Sequence, residues 1–531
     1  MSLDFFFVPL AAKVGASLDQ VKLITCLLVS YPLGSLFIRI PPSRPTLKHL
    51  FSIFVASFYF VPVLNQGLPF LTLLGDVLAT YFVALTVQGP RMPWIVFGLM
   101  MGHLFLNHIE RALYGDPFDG SYSITGPQMV LVMKLTTFAW NVWDGRRPVE
   151  DLDKWQMKMR VSKFPSLLEF LGFSLYFPGV LVGPYLEFAT YSSLVDGTLF
   201  DVTGGSEPRK PIPTGRKRTA YRKMLFALAY LGIYMGLSPK ISFHTSVTDW
   251  FLEQSLPYRI LILQIGGFVE RSKYYGVWIL TEGASILTGL GFTGYGPSGV
   301  PTWNGAANVE VWKIEVPENF KMLIDSWNIR TNVWLRECVY KRVTPKGKKA
   351  GFKSSMLTYL TSAIWHGVSA GYYFTFLLGG FVTTVARLAR STFRPLLLPV
   401  VSKPTGHKSA DDHDARPSQP PASLLKAAYD VVGTVCTVLV VNFITTPFIL
   451  LHSSDSIETW RRLCWYGLWM ILGAMVFFYS GGTTWLTGLQ AERVRRANVA
   501  SVSTSGTVTP SIPPTVVPLD AVFREAEKKL S

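Results

Sequence analysis

The sequence predicts an all-helical protein that crosses a membrane many times. Of its 531 residues, 49% are hydrophobic and only 16% are charged, whereas soluble domains carry about 25% charged residues. Apolar stretches of about 20 residues, the length that a bilayer requires, recur along the whole chain. Helices satisfy their own backbone hydrogen bonds in lipid, so these stretches predict about nine to eleven transmembrane helices.

The candidate spans extend from near the N-terminus to residue 482. The stretch at 258–290 contains charged residues and is expected to be interrupted. The stretches cover residues 21–40, 47–64, 68–87, 93–108, 165–190, 224–239, 258–290, 355–386, 427–451 and 463–482.

Two polar segments divide the chain. Residues 402–423 are rich in Pro, Ser and Asp, which is the composition of a disordered loop. Residues 491–531 begin with a basic run and continue through Ser, Thr and Pro. We therefore expect one membrane domain, 1–490, that contains the polar loop, followed by a flexible C-terminal tail, 491–531.

The net charge of +16 is concentrated between the apolar stretches. Basic clusters at 146–163, 209–223 and 336–353 indicate the cytosolic face, where they would also attract anionic lipids. A nucleic-acid partner is not expected, because the sequence has no basic stripe with interleaved aromatic residues outside the spans.

The chain ends in Lys528, Lys529, Leu530 and Ser531. This ending resembles a dilysine retrieval signal of the endoplasmic reticulum, which requires a cytosolic C-terminus. A plain charged tail is the alternative. Two helices after a basic cytosolic loop at 387–426 return the tail to the cytosol, so we expect a multi-pass protein of the endoplasmic reticulum membrane.

The cysteines show no paired spacing that would indicate a disulfide framework or a metal site. They are Cys26, Cys338, Cys436 and Cys464, and we interpret them as small buried apolar residues.

A histidine stands out among the apolar stretches, where an ionisable side chain is costly and usually functional. His366 lies within LTSAIWHGVSAGYYFTF, framed by aromatic and small residues. His103 and His108 are interpreted as packed or interfacial. A lone buried histidine is more often a core residue, so its position alone leaves the role of His366 open.

The segment SWNIRTNVWLRECVYKR, 326–342, is neither a clean span nor a clean loop. Amphipathic packing explains the spacing of Trp334 and Leu335. It does not explain Asn328 between apolar neighbours, because an amide at membrane depth needs a partner or a substrate. We expect a re-entrant segment that forms one wall of an internal reaction chamber, with His366 on another.

A third segment, GGFVERSKYYGVWIL at 266–280, carries Glu270, Arg271 and Lys273 inside an apolar run. It is either a tight turn between two short helices with snorkelling cations, or a cationic and aromatic wall for a charged head group or phosphates.

These three segments, which follow one another along the chain in the order 271, 328, 366, resemble the membrane-bound O-acyltransferase superfamily. Within it they resemble the lysophospholipid acyltransferases, particularly the fungal broad-specificity enzymes. Residues 124–146 and 165–188 are similar to the same branch, so the resemblance covers roughly residues 15–490. One departure is Ala370, where the WHGxxPGY pattern usually carries proline. The FYxDWWN pattern of the sterol and diacylglycerol acyltransferases is absent.

The resemblance implies transfer of an acyl group from acyl-CoA to the hydroxyl of a lysophospholipid, with His366 and Asn328 at the catalytic positions. No cofactor or metal is implied beyond acyl-CoA as co-substrate. The charged and aromatic residues of the same motifs are the candidates for substrate binding. They are Arg271, Lys273, Tyr274, Tyr275, Trp278, Trp327, Arg336, Tyr340, Arg342 and Trp365.

The implied chemistry is physically reasonable. A histidine titrates near neutral pH and suits removal of a proton from an attacking alcohol. An amide donor can stabilise the oxyanion of the tetrahedral intermediate, although Asn328 could instead orient the acceptor or the imidazole. No GxSxG elbow is present and Cys338 has no adjacent base in sequence, so direct transfer is favoured over an acyl-enzyme.

Three alternatives remain at this point. His244 and Asp249 form the His-x4-Asp pattern of an unrelated class of glycerolipid acyltransferases, but the pattern recurs at His407 and Asp412 in the polar loop, where it cannot be catalytic. A membrane lipid transporter or scramblase would also line a path with buried polar residues. A member of the same superfamily could act on a protein acceptor.

Overall fold

The computed structural model of the protein describes residues 3–115, 123–201, 212–345, 351–398 and 424–504. Within these ranges the regular structure is helical except for one hairpin of two very short strands, β1 (Gly294–Tyr295) and β2 (Pro301–Thr302). In this antiparallel pair Gly294 faces Thr302 and Tyr295 faces Pro301. The predicted all-helical membrane fold is confirmed.

The first part of the chain, up to residue 201, forms a run of longer helices followed by three short ones. Several begin at side chains that satisfy the free backbone N–H groups of a helix start; Ser17 and Gln20 form such a capping box at α2. The helices are α1 (Asp4–Val14), α2 (Leu18–Phe37), α3 (Pro45–Phe58, continued by a π-helical turn, Tyr59–Val63), α4 (Gly67–Thr86), α5 (Met92–Tyr114), α6 (Thr125–Gly145), α7 (Lys154–Met159), α8 (Leu167–Ser174) and α9 (Phe188–Asp196).

The central part contains two long helices followed by a series of short ones. The helices are α10 (Arg216–Leu237), α11 (Asp249–Glu253), α12 (Leu256–Leu287), α13 (Val311–Glu315), α14 (Phe320–Ser326), α15 (Ile329–Trp334, continued by a π-helical segment, Leu335–Tyr340) and α16 (Lys341–Val343).

The last part returns to long helices. The final helix extends through Thr504, well into the segment expected to be a tail from residue 491; the remainder of that segment and the predicted loop at 402–423 lie outside the described residues. The helices are α17 (Phe352–His366), α18 (Ala370–Thr392), α19 (Arg394–Leu397), α20 (Leu424–Leu450), α21 (Ser453–Arg462), α22 (Tyr466–Phe477, continued by a π-helical turn, Phe478–Gly482) and α23 (Thr483–Thr504).

In the described part of the chain, six helices are long and apolar enough to cross a membrane, and a bent pair, Ser453–Arg462 with Tyr466–Val499, would make a seventh. This number is lower than the nine to eleven predicted. The six are Leu18–Phe37, Pro45–Val63, Gly67–Thr86, Met92–Tyr114, Ala370–Leu397 and Leu424–Leu450.

The apolar stretch at 165–190 is not one long helix. Only Leu167–Ser174 is helical before the chain turns into a loop. The carbonyl groups at this helix end are satisfied by the fully buried Lys134, whose Nζ donates to Phe173 O at 2.6 Å and Ser174 O at 2.9 Å. A buried loop of this kind is as apolar in sequence as a membrane-spanning helix.

The predicted interruption at 258–290 is wrong, because α12 is one continuous helix of 32 residues. Its charged side chains have partners on other helices, so no turn is needed to bring them to water. Lys223 Nζ lies 2.9 Å from the buried carboxylate of Glu282, and Arg271 lies 2.7 Å from Glu315. The interpretation of 266–280 as a tight turn between short helices is therefore excluded.

The apolar run at 355–386 is broken where we expected one stretch. Helix α17 ends at His366, Gly367 has a φ of 140°, and α18 begins at Ala370. A positive φ of this size is accessible to glycine without strain. The break places His366 at a helix end rather than in the middle of a span.

The interpretation of the cysteines is correct for only half of them. Cys26 and Cys338 are buried, but Cys436 and Cys464 are exposed. Cys436 lies on an exposed side of α20, and sequence hydropathy does not distinguish a helix face that meets lipid from one that meets protein.

The described residues form two compact units. The first comprises 1–387 and 427–476, and the second comprises 388–426 and 477–531. In the second unit, α23 is attached to the end of α18 and to α19: Arg493 Nη1 donates to Pro395 O at 2.8 Å and to Leu396 O at 2.6 Å. All of the candidate catalytic and binding residues belong to the first unit.

Gly371 provides a test of the packing between α18 and α20. Its backbone N–H donates to Leu451 O at 3.0 Å, and an added Cβ would collide with the carbonyl oxygen of Pro447. We expect Gly371→Ala to destabilise the protein by about 1 to 3 kcal/mol, seen as a lower melting temperature in detergent. Gly98→Ala is the matched control, because no atom lies within 4 Å of an added Cβ there. Equal melting temperatures for the two variants would contradict the packing.

Candidate active site

A cavity of about 930 Å³ lies within the first unit. Residues from α5, α6, α12, α14, α15, α17, α18 and α20 line it, and most of the lining is aromatic or aliphatic. Asn328 and His366 both contribute to the lining, although they are 38 positions apart in the sequence. The structure thus brings the two predicted catalytic residues to one cavity.

The ring of His366 is fixed by one hydrogen bond and a group of aromatic neighbours. Its Nδ1 lies 3.0 Å from the carbonyl oxygen of Ser362. Because a carbonyl only accepts, Nδ1 carries the proton and Nε2 of the neutral ring has a free lone pair. The ring centres of Trp365, Phe376 and Phe448 lie 4.6, 4.9 and 5.0 Å away. His366 can therefore accept a proton at Nε2 from a molecule in the cavity.

Asn328 lies at the break between α14 and α15, where its backbone is left-handed with a φ of 45°. Asparagine tolerates this conformation better than most residues. Its Oδ1 accepts hydrogen bonds from Asn308 Nδ2 at 3.1 Å and Thr331 Oγ1 at 2.8 Å. Within the described ranges its Nδ2 has no hydrogen-bond acceptor, so this amide group is available to donate to a molecule in the cavity.

Five of the predicted aromatic binding residues also line the cavity: Tyr274, Trp278, Trp327, Tyr340 and Trp365. The ring of Trp327 is at the centre of this group, with ring centres 5.6 Å from Tyr274 and 5.1 Å from Trp278 in edge-to-face geometry. These rings give the cavity a rigid apolar wall.

The predicted cations Arg271, Lys273 and Arg336 line the cavity as well. Their charges are largely compensated by protein groups. Arg271 donates from Nε and one Nη to Glu315 and from the other Nη to Asn442. Lys273 Nζ lies 3.8 Å from Glu270. Arg336 Nε lies 2.8 Å from Glu337.

Two predicted binding residues, Tyr275 and Arg342, do not line the cavity. The hydroxyl of Tyr275 donates to Glu315 at 2.5 Å. Arg342 donates two hydrogen bonds to Asp144, at 2.9 and 2.5 Å, and its guanidinium lies 4.3 Å from the ring centre of Trp140. Their polar groups are taken by protein partners, and a substrate-binding role for these two residues stays a prediction.

A protein-family comparison identifies the fold that carries this cavity. The model of the membrane-bound O-acyltransferase family matches residues 112–399, which is more than half of the chain. The chain belongs to this family. The predicted resemblance is confirmed, and the protein is an O-acyltransferase.

Curated members of the O-acyltransferase family match most of the chain. A lysophospholipid acyltransferase of Schizosaccharomyces pombe is 36% identical over 478 residues, with 90% of each chain covered. A lysophospholipid acyltransferase of Saccharomyces cerevisiae is 33% identical and covers 90% of this chain and 77% of its own length. The human membrane-bound glycerophospholipid O-acyltransferase 1 is 29% identical, with 86% of this chain and 88% of the relative covered.

Sequence reasoning missed some residues of the O-acyltransferase cavity. His108, which is 7% exposed, donates from Nε2 to the carbonyl oxygen of Trp365 at 3.1 Å. Arg330 and Arg387 also line the cavity. The contact of His108 with the carbonyl of Trp365 cannot be predicted from a motif or from hydrophobic periodicity, because the two residues are 257 positions apart in the sequence.

The alternative pair, His244 and Asp249, is exposed on a 3₁₀ turn and the start of α11, and neither residue lines the cavity. In the described part of the chain, no group of three or more His, Cys, Asp or Glu residues could hold a metal ion. The acid–base groups of this O-acyltransferase are therefore sought in the cavity.

The structural role of Arg342 can be separated from substrate binding. Its side chain is 7% exposed and that of Asp144 is 0% exposed. Loss of one partner from a buried ion pair costs about 3 to 5 kcal/mol, so we expect Arg342→Gln to lower the melting temperature markedly. Arg336→Gln is the control: its side chain is 55% exposed and its pairing with Glu337 should contribute at most about 1 kcal/mol. An Arg342→Gln protein with normal stability and a raised KM would support the binding role.

Proposed function

We propose that this O-acyltransferase transfers a fatty acyl group from acyl-CoA to the free hydroxyl of a lysophospholipid. The two fungal relatives that match 90% of this chain are both named lysophospholipid acyltransferases. The observation that carries the proposal is that one cavity is lined by a histidine whose Nε2, and an asparagine whose Nδ2, have no hydrogen-bond partner within the described ranges.

In the proposed reaction, Nε2 of His366 accepts the proton of the acceptor hydroxyl while its oxygen attacks the thioester carbonyl carbon. The carbon–oxygen bond forms and the carbonyl becomes a tetrahedral oxyanion. The carbon–sulfur bond then breaks, and the leaving CoA thiolate takes the proton from the imidazolium. General-base assistance of this kind accelerates a reaction by roughly 10² to 10⁴.

The free Nδ2 of Asn328 is proposed to donate a hydrogen bond to this oxyanion. A donor held in advance loses no free energy on reorienting during the reaction. The bonds from Asn308 and Thr331 hold Oδ1, which leaves the amide donor as the group that faces the cavity. The thioester supplies an activated acyl group, so the proposed reaction needs no metal or redox cofactor.

A lipid transporter needs no proton acceptor beside its path, so the arrangement of His366 favours catalysis over transport. We further propose that the enzyme is a multi-pass protein of the endoplasmic reticulum membrane with a cytosolic C-terminus. This rests on the basic clusters and the dilysine ending, and Lys528 and Lys529 lie outside the described residues.

Purified protein should release free CoA from long-chain acyl-CoA faster when a lysophospholipid is added. We expect stimulation by lysophosphatidylcholine, lysophosphatidylethanolamine, lysophosphatidylserine or lysophosphatidic acid, because each has a free hydroxyl next to its acyl chain. CoA release is followed with a thiol reagent, and the product by mass spectrometry. If none of the four acceptors increases the rate, the proposed function is wrong.

His366→Ala should reduce kcat by roughly 10² to 10⁴, because it removes the proton acceptor while leaving the walls of the cavity. Asn328→Ala should cost about 3 to 4 kcal/mol of transition-state stabilisation. If both groups act on one transition state, the double variant should be scarcely slower than His366→Ala alone. Turnover is measured on detergent-purified variants, with binding of acyl-CoA measured separately.

His244→Ala is the matched control, since this histidine is exposed and outside the cavity. It should keep substantial activity. The proposal would be overturned if a well-folded His366→Ala protein kept near-normal turnover while His244→Ala was inactive. The catalytic site would then be the His-x4-Asp pair, His244 and Asp249.

A further inference from the structure

Arg330 was not among the predicted binding residues. It differs from the predicted cations Arg271, Lys273 and Arg336 because it has no carboxylate partner in the described chain. It lines the cavity two residues after Asn328. Its Nε is sealed from solvent and has no hydrogen-bond partner within the described ranges, and no carboxylate of those residues lies within ion-pair distance of its guanidinium. The residue as a whole is half-buried. A guanidinium that lines a cavity and has no carboxylate partner can pair with an anion that enters the cavity.

The surroundings of Arg330 contain a second unused donor. Tyr185 is 1% exposed and lines the cavity, and its hydroxyl makes no well-formed hydrogen bond within the described chain. Arg330 and Tyr185 line the same cavity. Two donors of this cavity, Arg330 Nε and the Tyr185 hydroxyl, are thus without an acceptor in the described chain.

The backbone that carries Arg330 is fixed relative to Asn328. Asn308, which is 3% exposed, accepts from Ile329 N through its carbonyl at 2.9 Å and from Arg330 N through Oδ1 at 3.0 Å. The same Asn308 donates to the side chain of Asn328 at 3.1 Å. One residue therefore links the position of the cation to that of the proposed oxyanion donor.

We propose that Arg330, assisted by the hydroxyl of Tyr185, binds the phosphate of the lysophospholipid acceptor. This inference rests on the proposed acyl transfer. Guanidinium groups pair with phosphate through two parallel N–H···O bonds. In a lysophospholipid the phosphate follows the reacting hydroxyl after only a few bonds, whereas in acyl-CoA the whole pantetheine arm separates the thioester from the nearest phosphate. A cation beside Asn328 therefore suits the acceptor.

The proposal has a consequence for head-group selection. The phosphate is common to all lysophospholipids, so an enzyme that holds the acceptor by its phosphate gains the same binding energy whichever head group follows. Monoacylglycerol, which has the hydroxyl and the acyl chain but no phosphate, would lose this contact.

The test compares Arg330→Gln with the unmodified enzyme on five acceptors. We expect Arg330→Gln to raise the KM for lysophosphatidylcholine, lysophosphatidylethanolamine, lysophosphatidylserine and lysophosphatidic acid by a similar factor, roughly ten- to one-hundredfold, the worth of a hydrogen bond to a charged group. The KM for monoacylglycerol and the KM for acyl-CoA should change little. Arg330→Lys, which retains the charge but not the forked geometry, should recover part of the loss.

Arg461→Gln is the matched control. Arg461 lies outside the cavity, and its side chain is 60% exposed and pairs with Glu458 at 2.7 Å. This change should leave the KM for every lysophospholipid unaltered. A structural role of Arg330 would instead reduce acyl-CoA binding and the melting temperature together, which are measured on each variant.

The outcomes are distinguishable. If the unmodified enzyme acts on lysophospholipids and Arg330→Gln keeps their KM, or raises the KM for acyl-CoA instead, the phosphate site is wrong while the proposed function stands. If Arg330→Gln does not fold, the KM values of the unmodified enzyme still test the phosphate site. Equal KM values for lysophosphatidic acid and monoacylglycerol would overturn it. No activity with any lysophospholipid would remove the proposed function itself.

Discussion

Backbone that leaves the helical conformation inside an apolar helix assembly must find hydrogen-bond partners from other helices, and the candidate site depends on how this protein meets that constraint. The end of α17 is the main example. The carbonyl of Trp365 accepts from His108 of α5, and His366 follows directly in sequence. The proposed proton acceptor is therefore attached to backbone that a distant helix fixes, while its ring is held by Ser362. The hydrogen bond from His108 both satisfies this buried carbonyl and fixes the backbone next to His366.

The same constraint operates at the break before α15. Asn328 adopts a left-handed conformation, and the chain beyond it would leave its first N–H groups without acceptors. Asn308 accepts from two of them and also holds the Asn328 side chain. Its position, 20 residues earlier in the chain, brings the segment before α13 into the wall of the cavity. Precision at the two reactive side chains is thus achieved with buried amides and imidazoles rather than with a rigid sheet.

Some of this was accessible from the sequence. His366 and Asn328 were selected because a polar side chain inside an apolar segment needs a reason to be there, and both line the cavity. A polar residue inside an apolar segment does not by itself reveal its partner. The sequence therefore could not distinguish Arg271, which lines the cavity, from Arg342, whose partner Asp144 is 198 positions away. His108 and Arg330 were missed for a related reason, since tertiary contacts give them their roles. The stretch at 165–190 was expected to be one long helix because hydropathy does not separate a buried loop such as 175–187 from a helix in lipid.

The break after His366 also has a consequence for how the protein is made. Helix α17 has 15 residues, roughly 22 Å of helix, which is shorter than the bilayer core of about 30 Å. Such a segment is poorly suited to enter the membrane by itself, and its open end needs a donor from α5, which is synthesised much earlier. Its insertion must therefore be coupled to docking on helices that are already in place. The order of events during biogenesis follows from this geometry: the membrane scaffold assembles first, and the reactive centre is completed late.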